Sequence, residues 1–160
     1  MIVRILGIDP GVANTGYGII DVSGNGKVSI IQSGIISTSS KDNHGFRLHK
    51  IYNSIVKIIE EFKPDAIALE SIFYSRNLKS LVEVSEAIGV ITLAAYNVGI
   101  SVKKFTPLEV KLAVTGFGKA SKSQIQMMVG QILGVNGFET SDHISDALAV
   151  AICYKNVYYV

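Results

Sequence analysis

The stretch IVRILGIDPGVANTGYGIIDV, residues 2–22, decides the fold class because it predicts two strands joined by a short connection. The apolar, β-branched run Ile2–Asp9 predicts a buried strand, which a Pro-Gly pair ends. Thr15–Val22 predicts a second strand, and the SGNG that follows favours a hairpin turn because Gly and Asn accept positive φ. Val28–Ser37 predicts a third strand, so the chain begins with an antiparallel meander.

Beyond the meander, the apolar residues change to a helical period. They recur three or four apart from Leu48 to Phe62, which predicts an amphipathic helix. Leu78–Asn97 predicts a second long helix, and its composition suggests that this helix is mostly buried. The remaining predicted elements are strands at Ala66–Glu70 and Ser101–Thr106, and helices that start at Pro107 or cover Ser121–Leu133 and Asp142–Tyr154. This order indicates an α/β fold in which helices flank a mixed five-stranded sheet.

Length and composition favour one soluble domain. The 160 residues are 48% apolar, and 15 basic and 13 acidic side chains give a net charge of +2, which does not by itself indicate nucleic-acid binding. The single cysteine excludes an internal disulfide framework, and the longest apolar stretch falls short of the roughly 20 residues that span a bilayer. We therefore expect a cytoplasmic protein without a membrane partner, with one domain over residues 1–154 and a short tail at 155–160.

Three acidic residues stand on apolar elements, where a carboxylate is costly unless it is paired or bound to metal. Asp9 and Glu70 end apolar strands, and Asp146 opens the apolar run of the last helix. If the two strands are neighbours, their acids can converge, because ligand sites form beyond the carboxyl ends of strands. Asp142 and His143 lie within one helical turn of Asp146. Such residues taken singly are more often caps or turns, but together they predict a site for Mg²⁺ or Mn²⁺.

A basic segment accompanies these acids. Between Lys103 and Lys122 the chain has five lysines and one acid, a charge suited to holding a nucleic-acid backbone while two metal ions act on a phosphodiester. The aromatic pair Phe73 and Tyr74 beside Arg76 could stack on unpaired bases, or could instead fill the core. The segment TGFGKASK lacks the spacing of a Walker A phosphate loop.

Four segments, taken in order, resemble the RuvC-type Holliday-junction resolvases, bacterial endonucleases with the ribonuclease H fold. They are GIDPGVANTGYG, ALESIFYSRN, TPLEVKLAVTGFGKASKSQIQ and DHISDALAVAI. The resemblance extends nearly over the whole chain, to about Tyr154. It implies a ribonuclease H-like fold and a metal-dependent endonuclease that resolves four-way DNA junctions by paired symmetric nicks during recombination and repair.

The resemblance also implies roles for individual residues. The catalytic and metal-binding set matches Asp9, Glu70, His143 and Asp146. Many members carry an aspartate where this chain has His143, so His143 could bind metal or act as general acid or base, or Asp142 could share its role. The DNA-contacting set comprises the aromatic Phe73 and the phosphate-binding Lys111 and Lys122, with Arg76 and Lys119 as further contacts and Tyr74 as an auxiliary residue.

The implied cofactor is Mg²⁺, with Mn²⁺ as an alternative, at two ions per active site. In this assignment Asp9 bridges both ions, and Glu70 and Asp146 hold one each. The implied assembly is a homodimer, whose twofold axis suits a substrate of approximate twofold symmetry. The RuvA–RuvB branch-migration machinery is the expected partner.

Three other readings compete with this one. A different ribonuclease H-like nuclease, such as one that processes ribosomal RNA precursors, would keep Asp9 and the fold. An actin-like ATP-binding module would share the DPGVANTGYG segment, but such proteins usually need two domains of this kind. A junction-binding protein that does not cut is disfavoured by the intact set of acids.

Overall fold

The order of strands and helices is the one that the sequence predicts. The computed structural model describes residues 1–72, 77–136, 138 and 140–159, and within them it has five strands and five helices. The elements are β1 Ile2–Asp9, β2 Asn14–Ser23, β3 Val28–Ser37, α1 His44–Phe62, β4 Ala66–Glu70, α2 Leu78–Asn97, β5 Val102–Phe105, α3 Pro107–Thr115, α4 Lys122–Leu133 and α5 Asp142–Tyr158.

The five strands form one mixed sheet in the order β3-β2-β1-β4-β5. The meander β1 to β3 is antiparallel, whereas β4 runs parallel to β1 and β5 runs parallel to β4. In the parallel pair, Ile8 lies opposite Leu69, so Asp9 and Glu70 follow side by side at the same edge of the sheet. The predicted mixed five-stranded sheet with flanking helices is confirmed.

Each face of the sheet has its own apolar core. Helices α1 and α2 cover one face, where Leu6 and Ile8 of β1 are fully buried. Helices α3, α4 and α5 cover the other face, which receives Ile5. Because side chains alternate along a strand, Asp9 belongs to the same face as Ile5, beneath α5. The same alternation in β4 directs Glu70 to that face, since Ala66 and Ala68 pack there.

Two helix boundaries differ from the sequence prediction. Helix α1 begins at His44, four residues before Leu48, because the side chain of Asn43 accepts a hydrogen bond from the Gly45 amide and caps the helix there. The predicted end of α5 at Tyr154 is wrong, because the helix continues to Tyr158. Stacking of Tyr154 on Tyr158, with ring centroids 4.7 Å apart, supports this last turn.

The prediction that α2 is mostly buried is also wrong. Its buried residues are Ala87, Ile91, Ala94 and Ala95. On the other side of the helix, four large apolar residues stand in solvent: Leu78, Val82, Leu93 and Tyr96 are 75%, 56%, 54% and 80% exposed. We call these four residues the α2 stripe. At the 100° per residue of an α-helix they lie within about 60° of one another, so they share one side of the helix, with the exposed Ser85, Glu86 and Gly89 between Val82 and Leu93.

Candidate active site

Helix α5 lies almost directly on the sheet next to Asp9. Three strand positions that face the helix are glycines, and at two of them the helix backbone is the obstacle. A Cβ atom added at Gly7 would lie 2.0 Å from the carbonyl oxygen of Ala147. A Cβ at Gly16, which pairs with Asp9, would lie 2.1 Å from the carbonyl oxygen of His143. No side chain fits at such distances, so the two glycines set how closely the first turns of α5 approach the ends of β1 and β2.

This close approach brings His143 onto Asp9. The imidazole Nδ1–H donates to Asp9 Oδ2 over 3.0 Å, and the Asp9 side chain is 17% exposed. Asp142 points elsewhere, since its Oδ2 lies 3.5 Å from the Nζ of Lys122 at the start of α4. Of the two residues between which the sequence left the choice open, His143 is therefore the one in contact with Asp9.

Glu70 and Asp146 complete an acidic group with Asp9, and their pKa values reveal how closely the charges lie. Burial, and then the charges of Asp9 and Asp146, raise the pKa of Glu70 to about 7. Burial, and then the charge of Asp9, raise the pKa of Asp146 to about 6. Burial also raises the pKa of Asp9, against the hydrogen bond from His143, which lowers it. Three carboxyl groups from three separate elements therefore share one electrostatic site.

A pocket of about 310 Å³ opens beside these carboxyl groups, between β4, α3, α4 and α5. Its polar lining comes from Glu70, Asp146, Lys111 and Lys122, and its apolar lining from Pro107, Val110, Ile125 and Ala149. Acidic and basic side chains thus face one another across a cleft. Such a cleft can accept a phosphate while the acids hold cations.

The predicted DNA-contacting lysines differ in position. Lys111 and Lys122 both line the pocket. Lys122 is 72% exposed, and the charge of Asp146 is the main reason that its pKa is raised. Lys119 is exposed and is not among the residues that line this pocket. The structure therefore brings two of the three lysines to the acids.

The predicted contacts Phe73, Tyr74 and Arg76 lie outside the described residues. The chain that leads to them is held at the site, because Ser71 directly follows Glu70 and its amide donates to the Phe105 carbonyl over 2.8 Å.

The donor chemistry of the site fits a hard divalent cation. Asp9, Glu70 and Asp146 supply carboxylate oxygens, and His143 adds an imidazole nitrogen, which suits Mg²⁺ or Mn²⁺. Within residues 1–72, 77–136, 138 and 140–159, no three acidic, histidine or cysteine side chains already form a group that could hold a metal ion. The carboxylates repel one another, and Asp9 shares an oxygen with His143. The four side chains thus suit a divalent cation because they are ligands of the right type and lie near one another.

Sequence reasoning missed two features of the site. One is the role of Gly7 and Gly16 in seating α5, for which the signal is a glycine at alternate strand positions of GIDPGVANTGYG. The other is the pairing of Asp142 with Lys122, which joins residues twenty positions apart and leaves no local signal. As for membranes, none of the helices in the described part of the chain has the length and apolar character that a crossing requires.

Comparison with known proteins gives a consistent match over nearly the full length. The family model described as crossover junction endodeoxyribonuclease RuvC matches residues 5–154. The protein of that name from Syntrophomonas wolfei is 46% identical over 155 residues, which cover 97% of this chain and 90% of the relative. The one from Caldicellulosiruptor saccharolyticus is 43% identical over 151 residues, which cover 94% of this chain and 91% of the relative.

Solved structures agree with the sequence matches. Thermus thermophilus RuvC in complex with Holliday junction substrate superposes with a TM-score of 0.92 at 30% identity, covering 97% of this chain and 94% of that one. The yeast mitochondrial Holliday junction resolvase superposes with a TM-score of 0.69 at 16% identity, covering 96% of this chain and 78% of that one, which is a likeness of fold. The predicted ribonuclease H-like fold is confirmed.

Proposed function

Because this chain belongs to the RuvC family of crossover junction endodeoxyribonucleases, we propose that Asp9, Glu70, Asp146 and His143 are the catalytic residues with which it cuts four-way DNA junctions. The chain is a nuclease that hydrolyses phosphodiester bonds and resolves Holliday junctions during recombination and repair. The observation that carries the residue assignment is the convergence of three carboxyl groups and one imidazole at one edge of the sheet.

The same four side chains are the proposed metal ligands, and the protein is a metal-dependent nuclease. We propose Mg²⁺ as the ion, with Mn²⁺ able to replace it, at two ions per site, which Asp9, Glu70 and Asp146 would hold. Ions of this kind, when bound, supply a nucleophile from water at neutral pH and stabilise charge on the leaving oxygen. Burial is the main cause of the elevated pKa values of Glu70 and Asp146, and repulsion from the neighbouring carboxylates is the second; that repulsion supports the assignment, because a bound cation would relieve it.

The protein's own residues orient the substrate and handle the proton. Lys111 and Lys122 line the pocket with the acids, so they bind backbone phosphates and hold the strand against the carboxylates. His143 has its Nδ1 fixed by Asp9, which leaves Nε2 as the nitrogen that can ligate or can accept a proton. In this proposal Asp9 fixes the tautomer and orientation of the ring. Lys119, Phe73 and Arg76, with Tyr74 as an auxiliary, remain proposed junction contacts.

A homodimer is the proposed assembly, and the α2 stripe is its proposed interface. Four large apolar side chains exposed on one side of a helix are costly in solvent, and a twofold axis would bring that side of α2 against the same side of a second copy. Two sites related by that axis would nick symmetry-related strands of one junction and leave ligatable ends.

We further propose RuvA–RuvB as the partner machinery, the cytoplasm as the location, and residues 1–154 as a single ribonuclease H-like domain. Family membership supports the first two, and a family match that ends at residue 154 supports the third. A nearly full-length relationship to junction nucleases argues against a ribosomal RNA nuclease and an actin-like ATP-binding module. The retained Asp9, Glu70 and Asp146 argue against a binding protein that does not cut.

Cleavage of a synthetic mobile four-way junction tests the residue assignment. Wild-type protein should give paired nicks with Mg²⁺ and none with a chelator. Asp9→Asn, Glu70→Gln and Asp146→Asn should each abolish cutting yet retain junction binding in a gel-shift assay. Variants that fold and bind but still cut at the wild-type rate would refute the assignment, and duplex DNA and structured RNA serve as control substrates.

A further inference from the structure

Lys122 occupies a position that its own helix does not favour. It is the first residue of α4, after the capping residue Ser121, and the positive end of the helix dipole disfavours a cation there. Acids on other elements compensate for the unfavourable helix dipole, because the charges of Asp146, Asp142 and Asp9 all stabilise the Lys122 ammonium. Lys122 also lines the same pocket as Glu70 and Asp146, so it lies beside two of the proposed metal ligands.

Asp142 is the acid to which Lys122 is joined by a direct contact. Its Oδ2 lies 3.5 Å from the lysine Nζ, and both side chains are largely exposed, at 65% and 72%. Asp142 is also the outer of the two acids on α5, because it is exposed whereas Asp146 is half-buried. The ammonium is therefore shared between an outer carboxylate and the inner ones.

We propose that Asp142 is a positioning residue that holds the Lys122 ammonium at the mouth of the pocket and so keeps it from competing with a divalent cation for Asp146 and Asp9. The inference rests on the proposed metal centre. An ammonium that settles on the inner carboxylates neutralises the charge that attracts a metal ion. An outer carboxylate that draws the ammonium away restores that charge, and leaves the lysine pointing to where a phosphate would bind.

The size of the effect follows from the exposure of the pair. Contacts between exposed charges contribute roughly 0.2–1 kcal/mol, which corresponds to a change in affinity of about 1.5- to 5-fold. We therefore expect Asp142→Asn to weaken Mn²⁺ binding by about 1.5- to fivefold. Lys122→Gln should strengthen it by a similar factor, because the competing cation is gone.

Titration with Mn²⁺ in the absence of DNA, with free Mn²⁺ measured by electron paramagnetic resonance, tests the proposal on four proteins. They are the wild type, Asp142→Asn, Lys122→Gln and the double variant. If Asp142 acts through Lys122, then Asp142→Asn weakens Mn²⁺ binding more in the wild-type background than in the Lys122→Gln background, where only its direct charge effect on Asp146 remains. An equal loss of affinity in both backgrounds would overturn the proposal, because Asp142 would then attract the cation directly.

Two controls separate this outcome from failure of the metal centre. Lys119→Gln removes the same charge from an exposed lysine outside the pocket and should change Mn²⁺ affinity less than Lys122→Gln does. Asp9→Asn should abolish saturable binding, and thermal melts of every variant verify folding. If the wild type itself shows no saturable Mn²⁺ binding, the metal centre is refuted and the inference falls with it. Saturable wild-type binding with equal effects in both backgrounds refutes the inference alone.

Discussion

At the scale of single residues, the fold brings together carboxyl groups whose negative charges repel one another. Glu70 is the clearest case, because burial and two acidic neighbours raise its pKa to about 7 from an ordinary value of 4.5. A carboxyl group whose pKa is higher in the folded state than in the unfolded state favours folding when it is protonated. Its contribution is fully present below pH 4.5 and is lost as the pH rises through about 7. Function at neutral pH is therefore obtained at the expense of stability.

Glu70→Gln should consequently stabilise the metal-free protein while it abolishes cutting. At pH 7.5 in the presence of a chelator, we expect the free energy of unfolding to rise by about 1–3 kcal/mol, because the ionised group and its repulsion are removed. At pH 4.5 the gain should disappear. Urea denaturation at the two pH values measures the effect, with Glu60→Gln, an exposed glutamate on α1, as the control. A variant less stable than the wild type at pH 7.5 would show that the Glu70 carboxylate has a structural role.

The two lysines that line the pocket, Lys111 and Lys122, should contribute to the salt dependence of junction binding. Lys111→Ala and Lys122→Ala should each weaken junction binding and lower the slope of log affinity against log salt by about one, because each releases one counterion on meeting a phosphate. Fluorescence anisotropy with a labelled junction at several salt concentrations measures both quantities. An unchanged slope would mean that the side chain makes no phosphate contact.

At the scale of elements, the seating of α5 on β1 and β2 forms the site. Gly16→Ala places a methyl group where the carbonyl of His143 lies, 2.1 Å away, so the first turn of α5 must shift. We expect a loss of about 1–3 kcal/mol of stability, and a fall in cutting even at temperatures where the variant is folded, since His143 leaves Asp9.

A matched glycine makes this test specific. Gly24→Ala, in the turn after β2, meets its nearest atom at an ordinary 3.6 Å and should leave both melting temperature and cutting close to wild type. If Gly16→Ala melts and cuts like Gly24→Ala, the close approach of α5 does not determine the geometry of the site.

The elements themselves were largely predictable, because their signals are local. The period of the apolar residues located the helices, and an isolated acid at the end of an apolar strand singled out Asp9 and Glu70. The features that the sequence did not predict correctly depend on tertiary contacts. The composition of α2 shows that the helix is apolar, but it does not show that four of its large side chains face solvent. Because His143 and Asp142 are neighbours in sequence, the sequence also does not show that they contact different residues.

At the scale of the whole molecule, the α2 stripe remains exposed to solvent in a single chain. Leu93→Glu places a charge beside Tyr96 in the α2 stripe, and it should convert the proposed dimer to a monomer in light scattering coupled to size-exclusion chromatography. The monomer should nick single strands of a junction but lose the coordination of paired nicks. Val157→Glu, at an equally exposed apolar residue near the end of α5, should stay dimeric. A dimeric Leu93→Glu variant would place the interface elsewhere.

The account as a whole claims that folding gathers Asp9, Glu70, Asp146 and His143 to hold divalent cations. Anomalous diffraction from crystals grown with Mn²⁺ tests this claim most directly. We predict manganese peaks coordinated by the carboxylates of Asp9, Glu70 and Asp146, with the His143 ring in contact, and loss of those peaks in Asp9→Asn crystals. Manganese bound only elsewhere at a saturating concentration, with these four side chains free of metal, would contradict the account.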